Sequence, residues 1–281
     1  MDVNLDREQK RASLNDDCRI STENSEPFFT DSSVEICTLS YAAYSFSEKH
    51  ALKHELMPFF SETRLGKIGR WLLNPQDSSL SEKHISALEQ SAAAELAICA
   101  AMKNSGRPFA PSDYAYKESG QPTIQNGHIS ISHTEGYAAC AIAREPVGID
   151  VERGHTFSKA AAKRILSPQE ELMSDSTNAD ELLSRIWTVK ESFLKMTGEG
   201  IPGGMRTLEL IAAGDGSSGK WIIKRGTKPE AGCAVLLSIS GSGNSADFND
   251  AYLSVCTKKK AMMHINRFES VESILEFLNE P

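Results

Sequence analysis

The six cysteines of this 281-residue chain (Cys18, Cys37, Cys99, Cys140, Cys233 and Cys256) include no C-x-x-C pair and have no histidine at zinc-ligand spacing. That excludes a structural zinc site or a disulfide framework and fits a reducing compartment. No apolar run reaches the 18 or so residues of a membrane span, and the opening MDVNLDREQKRASLNDD has no apolar signal core. A cytoplasmic protein, neither secreted nor membrane-spanning, is expected. Bases are scarcer than acids, 30 against 38, giving a net charge of -8. With a pI near 5.5, that argues against a protein that coats nucleic acid. No G-x-x-x-x-G-K-[ST] is present, and the Gly-rich loops after residue 213 lack the strand-to-helix context of a dinucleotide fingerprint. A P-loop enzyme and a Rossmann dehydrogenase are thereby disfavoured.

What is present is an ordinary globular composition, 40% hydrophobic and 24% charged, in a length that suits one large or two small domains. Residues 1–33 hold eight acids (Asp2, Asp6, Glu8, Asp16, Asp17, Glu23, Glu26, Asp31) against four bases (Arg7, Lys10, Arg11, Arg19), which is half the net charge. They read as a disordered acidic tail. Val34–Tyr41 alternates as a strand, and His50–Phe60 and Glu62–Leu73 carry helical patterns. Lys83–Lys103 reads as one long helix, with Ile85, Leu88, Ala92, Leu96 and Cys99 at steps of three and four. Three β-rich runs follow, His128–Ser132, Tyr137–Ala143 and Val147–Glu152, expected as an antiparallel meander. After a helix around Ser158–Leu166, Ser167-Pro168-Gln169-Glu170 supplies a capping-box start. Glu181–Met196 is a helix ended by Gly198. Strands at Thr207–Ala213, Trp221–Arg225, Ala234–Ser240 and Tyr252–Thr257 and a helix at Val271–Leu278 complete an α+β reading. There is no sequence repeat, but strand-helix-strand order occurs twice, compatible with two similar half-domains at 34–145 and 146–281.

Four clusters carry chemistry. In Val147-Gly148-Ile149-Asp150-Val151-Glu152, Asp150 and Glu152 share a strand face while Ile149 and Val151 face a core. Two adjacent carboxylates ask for a cation, with a hard divalent metal such as Mg²⁺ the natural tenant; the alternative is a solvated acidic edge. In Trp187-Thr188-Val189-Lys190-Glu191-Ser192-Phe193-Leu194-Lys195, Glu191 and Lys195 share a helix face with Lys190 beside them. That set suits a metal and phosphates, or is an exposed i,i+4 pair. Ser132-His133-Thr134 crowds hydrogen-bonding groups at a strand end, for a phosphate oxygen or as a capping cluster. Arg64, Lys67 and Arg70 form a basic stripe on a helix, a phosphate clamp or a solvated face.

The order and spacing of ISHT, VGIDVE and WTVKESFLK resemble the 4′-phosphopantetheinyl transferases of the surfactin-synthetase-activating type, most clearly over Ser119–Gly200. The resemblance implies a pseudo-symmetric monomer of two α/β halves, each a small antiparallel sheet with packed helices, holding coenzyme A and Mg²⁺ between them. It implies transfer of the phosphopantetheine arm to a serine of an apo acyl or peptidyl carrier protein, with release of 3′,5′-ADP. Asp150, Glu152 and Glu191 are then the metal carboxylates, with Glu191 and Lys195 catalytic. Arg64, Lys67, Arg70, Ser132, His133, Lys190 and Lys195 contact coenzyme A. Neither nucleic acid nor membrane is an expected partner. The chain departs from the family at Gly120-Gln121-Pro122, where a lysine is usual in place of Gln121, and at Gln90, where an arginine is usual. Those two departures motivate the alternative of a non-catalytic homologue that binds coenzyme A or a carrier. A Mg²⁺-dependent phosphohydrolase is a further alternative.

Overall fold

The structure, a computed structural model, describes residues 33–41, 53–62, 64–66, 68, 80–106, 114–117, 121–154, 156–171, 179–200, 204–213, 219–226, 228–239 and 251–280. The expected acidic tail, apart from Ser33, lies outside the described residues, as do Lys67, Arg70 and most of the Gly/Ser-rich loops.

In order, the elements are β1 (Ser33–Ser40), α1 (Lys53–Leu56), α2 (Glu82–Asn104), β2 (Tyr114–Tyr116), β3 (Pro122–Ile124), β4 (His128–Thr134), β5 (Tyr137–Ala143), β6 (Val147–Arg153), α3 (Lys159–Ile165), α4 (Pro168–Glu171), α5 (Ala179–Thr197), β7 (Leu208–Ala212), β8 (Lys220–Arg225), β9 (Lys228–Ile239), β10 (Ala251–Thr257), β11 (Met262–Phe268) and α6 (Val271–Asn279). The mixed α+β class stands. One sheet runs β11-β1-β5-β4 and a second β6-β10-β9-β8-β7, with β2 and β3 as a separate hairpin. All described pairings are antiparallel except that of β1 with β11.

Strand alternation sorts the side chains into layers. On β5, Ala138, Cys140 and Ile142 face α2, while Ala139 and Ala141 face the other sheet. On β10, Tyr252 and Cys256 join the core under α5, and Leu253 and Val255 turn to the inter-sheet core beside Val34, Ile36, Ile149 and Val151. The result is helix, sheet, sheet, helix, with α2 on the first sheet and α5 on the second. Each large aliphatic side chain so enclosed contributes about 1.5–3 kcal/mol relative to exposure.

The expected three-strand meander is corrected. β4 and β5 form a hairpin, but β6 leaves that sheet and pairs with β10 as the edge of the second. The turn at 144–146 ends in Pro146, which carries no N–H to continue a ladder. β4 and β6 are instead tied by side chains, the Ile149 N–H donating to the Ser130 hydroxyl at 3.0 Å. β11 was not foreseen. It and α6 return to the first sheet, where Val271, Ile274, Leu275 and Leu278 join the core under α2.

The start and stop signals act as the residue types demand. Ser81 accepts from the His84 N–H and opens α2. At Ser167 the capping box is complete: the Glu170 N–H donates to the Ser167 hydroxyl at 3.3 Å and the Ser167 N–H to the Glu170 carboxylate at 2.8 Å. Gly198, at φ +72°, ends α5.

Candidate active site

β6 and α5 build the site together. Asp150 and Glu152 project from the face of β6 opposite the inter-sheet core, and α5 crosses that face. The crossing is close at Gly148, where a Cβ would collide with the carbonyl of Ser192. α5 is further pinned by a 2.9 Å hydrogen bond between the Ser192 and Ser254 hydroxyls. One helical turn past Glu191, Lys195 reaches back over the strand. Its ammonium donates to Asp150 Oδ1 at 2.7 Å and to the Ser132 hydroxyl at 2.9 Å, and Ser132 donates to the same Oδ1 at 2.8 Å. Ser132, at the end of β4, thus joins the first sheet to the carboxylate strand.

The electrostatics are those of acids crowded away from water. Asp150 is 1% exposed. Burial and the Asp150 charge push the Glu152 carboxyl up to about 7, with the Trp187 indole N–H and Lys195 pulling the other way. Burial first and Asp150 second also raise Glu191, again opposed by Lys195. Asp150 Oδ2 and Glu191 Oε2 are both buried with no hydrogen-bond partner. Among the described residues, no three acidic, histidine or cysteine side chains form a closed ligand cluster, and one oxygen of Asp150 is taken by Lys195. The remaining donors are hard oxygens short of positive charge, the donor set that a divalent cation such as Mg²⁺ takes. His133, exposed to solvent, is held below the ordinary histidine value first by partial desolvation of its ring and then by the cations of Lys195 and Arg64. Its Nδ1 lies 3.0 Å from the Gln90 amide oxygen. Crowded carboxylates beneath Lys195, with His133 exposed beside them, can bind a phosphate-rich ligand and move a proton beside it.

Residues 146–255, which carry β6, α5 and the strands around them, match the family model described as the 4′-phosphopantetheinyl transferase superfamily. The chain is 29% identical over 167 residues to the 4′-phosphopantetheinyl transferase psf-1 of Bacillus pumilus, covering 57% of this chain and 66% of that one. It is 34% identical over 83 residues to the transferase Sfp of Bacillus subtilis strain 168, covering 28% of this chain and 37% of that one. With the transferase gsp of Aneurinibacillus migulanus it shares 33% over 88 residues, covering 30% and 37% of the two chains. This chain thus spans just under two thirds of the first relative's length and little more than a third of the other two.

Within the matched segment, one expected ligand is corrected. Lys190 is fully buried, and its ammonium bonds the Glu170 carboxylate at 2.5 Å and the Ile165 carbonyl at 2.8 Å. A helix turns 100° per residue, which carries Lys190 away from Glu191 and against α4. Burial holds it below the ordinary lysine value while Glu170 pulls it up. Arg64 is held by Glu95 of α2, the helix whose Gln90 lies 3.0 Å from His133 Nδ1. Gln121 accepts from Lys117 at 3.0 Å and lies across from Gly198 at the end of α5.

Two buried acids escaped sequence reasoning. Glu170 was legible as a cap, but its grip on Lys190 and on the Leu210 N–H, at 3.1 Å, joins α4, α5 and β7 and left no local trace. Glu95 had a signal: a lone charge inside the Ala-rich AAAELAICAA run is costly to bury without a partner.

Proposed function

We propose that this protein transfers the 4′-phosphopantetheine arm of coenzyme A to a serine hydroxyl of an acyl or peptidyl carrier protein, releasing 3′,5′-ADP. The observation that carries the reading is the Asp150, Glu152 and Glu191 set under Lys195, inside the segment that matches the superfamily.

Asp150, Glu152 and Glu191 would hold Mg²⁺ through the oxygens that the fold leaves unpaired or crowded. Bound there, the metal would supply positive charge for the diphosphate of coenzyme A. Lys195 donates to the phosphoryl oxygens as charge grows on them; its side chain is 28% exposed and its ammonium is already directed at Asp150. Glu191 accepts the proton of the attacking serine on the carboxylate oxygen that the metal does not take. The serine oxygen forms a bond to the β-phosphorus, the bond from that phosphorus to the bridging oxygen breaks, and 3′,5′-ADP leaves with the bonding pair. His133 stands at the surface as a phosphate donor, Ser132, buried with its hydroxyl hydrogen given to Asp150 Oδ1, orients Lys195, and Arg64 adds a second cation. The carrier's acidic surface meets these bases, so the net charge of -8 is no obstacle to docking. A monomer acting in the cytoplasm agrees with this reading.

The test is incubation with coenzyme A, Mg²⁺ and an apo carrier protein, read by mass spectrometry. A carrier heavier by one phosphopantetheine arm is expected, with no transfer in excess chelator. Hydrolysed coenzyme A beside an unmodified carrier would establish a phosphohydrolase instead. Binding without turnover would establish a non-catalytic homologue.

A further inference from the structure

The least expected group in the first half of the molecule is Glu95, a carboxylate with no exposed surface in the middle of α2. Its Oε1 is engaged twice. The Arg64 Nε–H donates to it at 2.8 Å, and the Tyr116 hydroxyl donates to it at 2.8 Å. The ring is closed by Arg64 Nη2, which donates to the Tyr116 oxygen at 3.1 Å, with the guanidinium 5.5 Å from the Tyr116 ring centroid. Three segments far apart in sequence therefore converge on one arginine. Two of its nitrogens are consumed, and Nη1 is left without a partner among the described residues. The helix that carries Glu95 also carries Gln90, whose amide oxygen lies 3.0 Å from His133 Nδ1, and Tyr116 pairs with Pro122 beside Gln121, which lies across from Gly198 after α5. The anchored arginine is thus tied to α2 and to the hairpin of β2 and β3, the elements that border the site.

A free arginine side chain loses rotamer freedom when it binds an anion, which weakens the contact. An arginine already fixed by a buried carboxylate and a phenol has lost that freedom on folding. We propose that Glu95 is a positioning residue, with Tyr116 as its second arm, that fixes Arg64 as a preformed clamp for a phosphate group of coenzyme A. The inference rests on the transferase function proposed above. Glu95 touches no substrate; it acts through Arg64.

The experiment is steady-state transfer to an apo carrier, with KM measured separately for coenzyme A and for the carrier. Glu95→Gln keeps the size and an acceptor but removes the charge, and is expected to raise KM for coenzyme A about tenfold. Both kcat and KM for the carrier should stay within about twofold of wild type. In an Arg64→Ala background, Glu95→Gln should add nothing further to KM for coenzyme A, because the anchor then has nothing to hold. Tyr116→Phe keeps the ion pair and is expected to raise the same KM about threefold, so the idea stays testable even if Glu95→Gln does not fold. A lowered melting temperature with unchanged KM for coenzyme A in both single variants would make the cluster purely structural and overturn the inference. Failure of the wild-type protein to bind or consume coenzyme A overturns the transferase reading itself, a distinct result.

Discussion

The two oxygens of Asp150 have opposite surroundings. Oδ1 accepts from Ser132 and Lys195, while Oδ2 is buried and bare. A carboxylate held this way is ready for a cation on one side only. Asp150→Ala and Glu191→Ala are each expected to reduce transfer below detection, measured by carrier mass. Glu191→Ala removes an acid crowded by Asp150 and should leave the melting temperature within a few degrees of wild type, whereas Asp150→Ala also strips Lys195 and Ser132 of their shared partner and should lower it. Turnover near the wild-type rate in either variant would remove these residues from the site. At this scale the sequence was readable where side-chain period decides the outcome: Asp150 and Glu152 do share a face of β6. It was not readable for Lys190, whose partner Glu170 lies on another element and is found only when α4 packs beside α5.

The pair made by Lys190 and Glu170 fixes an element as well as a residue, because it sets how α5 sits against α4 and β7. Lys190→Met leaves the Glu170 carboxylate buried without its cation, which is expected to cost about 3–5 kcal/mol. The double variant Lys190→Met/Glu170→Gln should recover part of that loss, a difference readable in denaturant titrations. No recovery would mean that the two side chains act separately. Gly148→Ala tests the other contact of α5. With a Cβ set against the Ser192 carbonyl, the helix must lift, and a loss of about 1–3 kcal/mol is expected together with lowered transfer. A variant as stable and active as wild type would show that α5 can shift without consequence. Among the elements, α2, α5 and β4 to β6 were legible because their periods and caps are local. β11 was not: in MMHINRF the polar residues read as a connector, and its pairing with β1 is parallel and distant in sequence.

Across the whole molecule, the first core is completed only by chain that comes last. Val271, Ile274, Leu275 and Leu278 of α6 fill the space under α2, and Lys103 donates to the carbonyls of Phe277 and Glu280 at 2.8 and 2.5 Å. A chain ended at Lys260 loses β11 and all four of these side chains, each contributing about 1.5–3 kcal/mol. That approaches the whole of an ordinary domain's stability, about 5–15 kcal/mol. The shortened chain is expected to show no cooperative thermal transition by circular dichroism, and a sharp transition would refute the account. The two-layer doubling of helix on sheet was visible in the order of elements, but the last strand's return to the first sheet was not. That return also constrains birth at the ribosome. β1 waits for its parallel neighbour until β11 has been translated, so its sheet is unfinished while the intervening chain is made. During that interval the exposed flank of β1 offers its unpaired backbone to any passing strand, and chaperones that shield nascent edges should be of most use to this protein then.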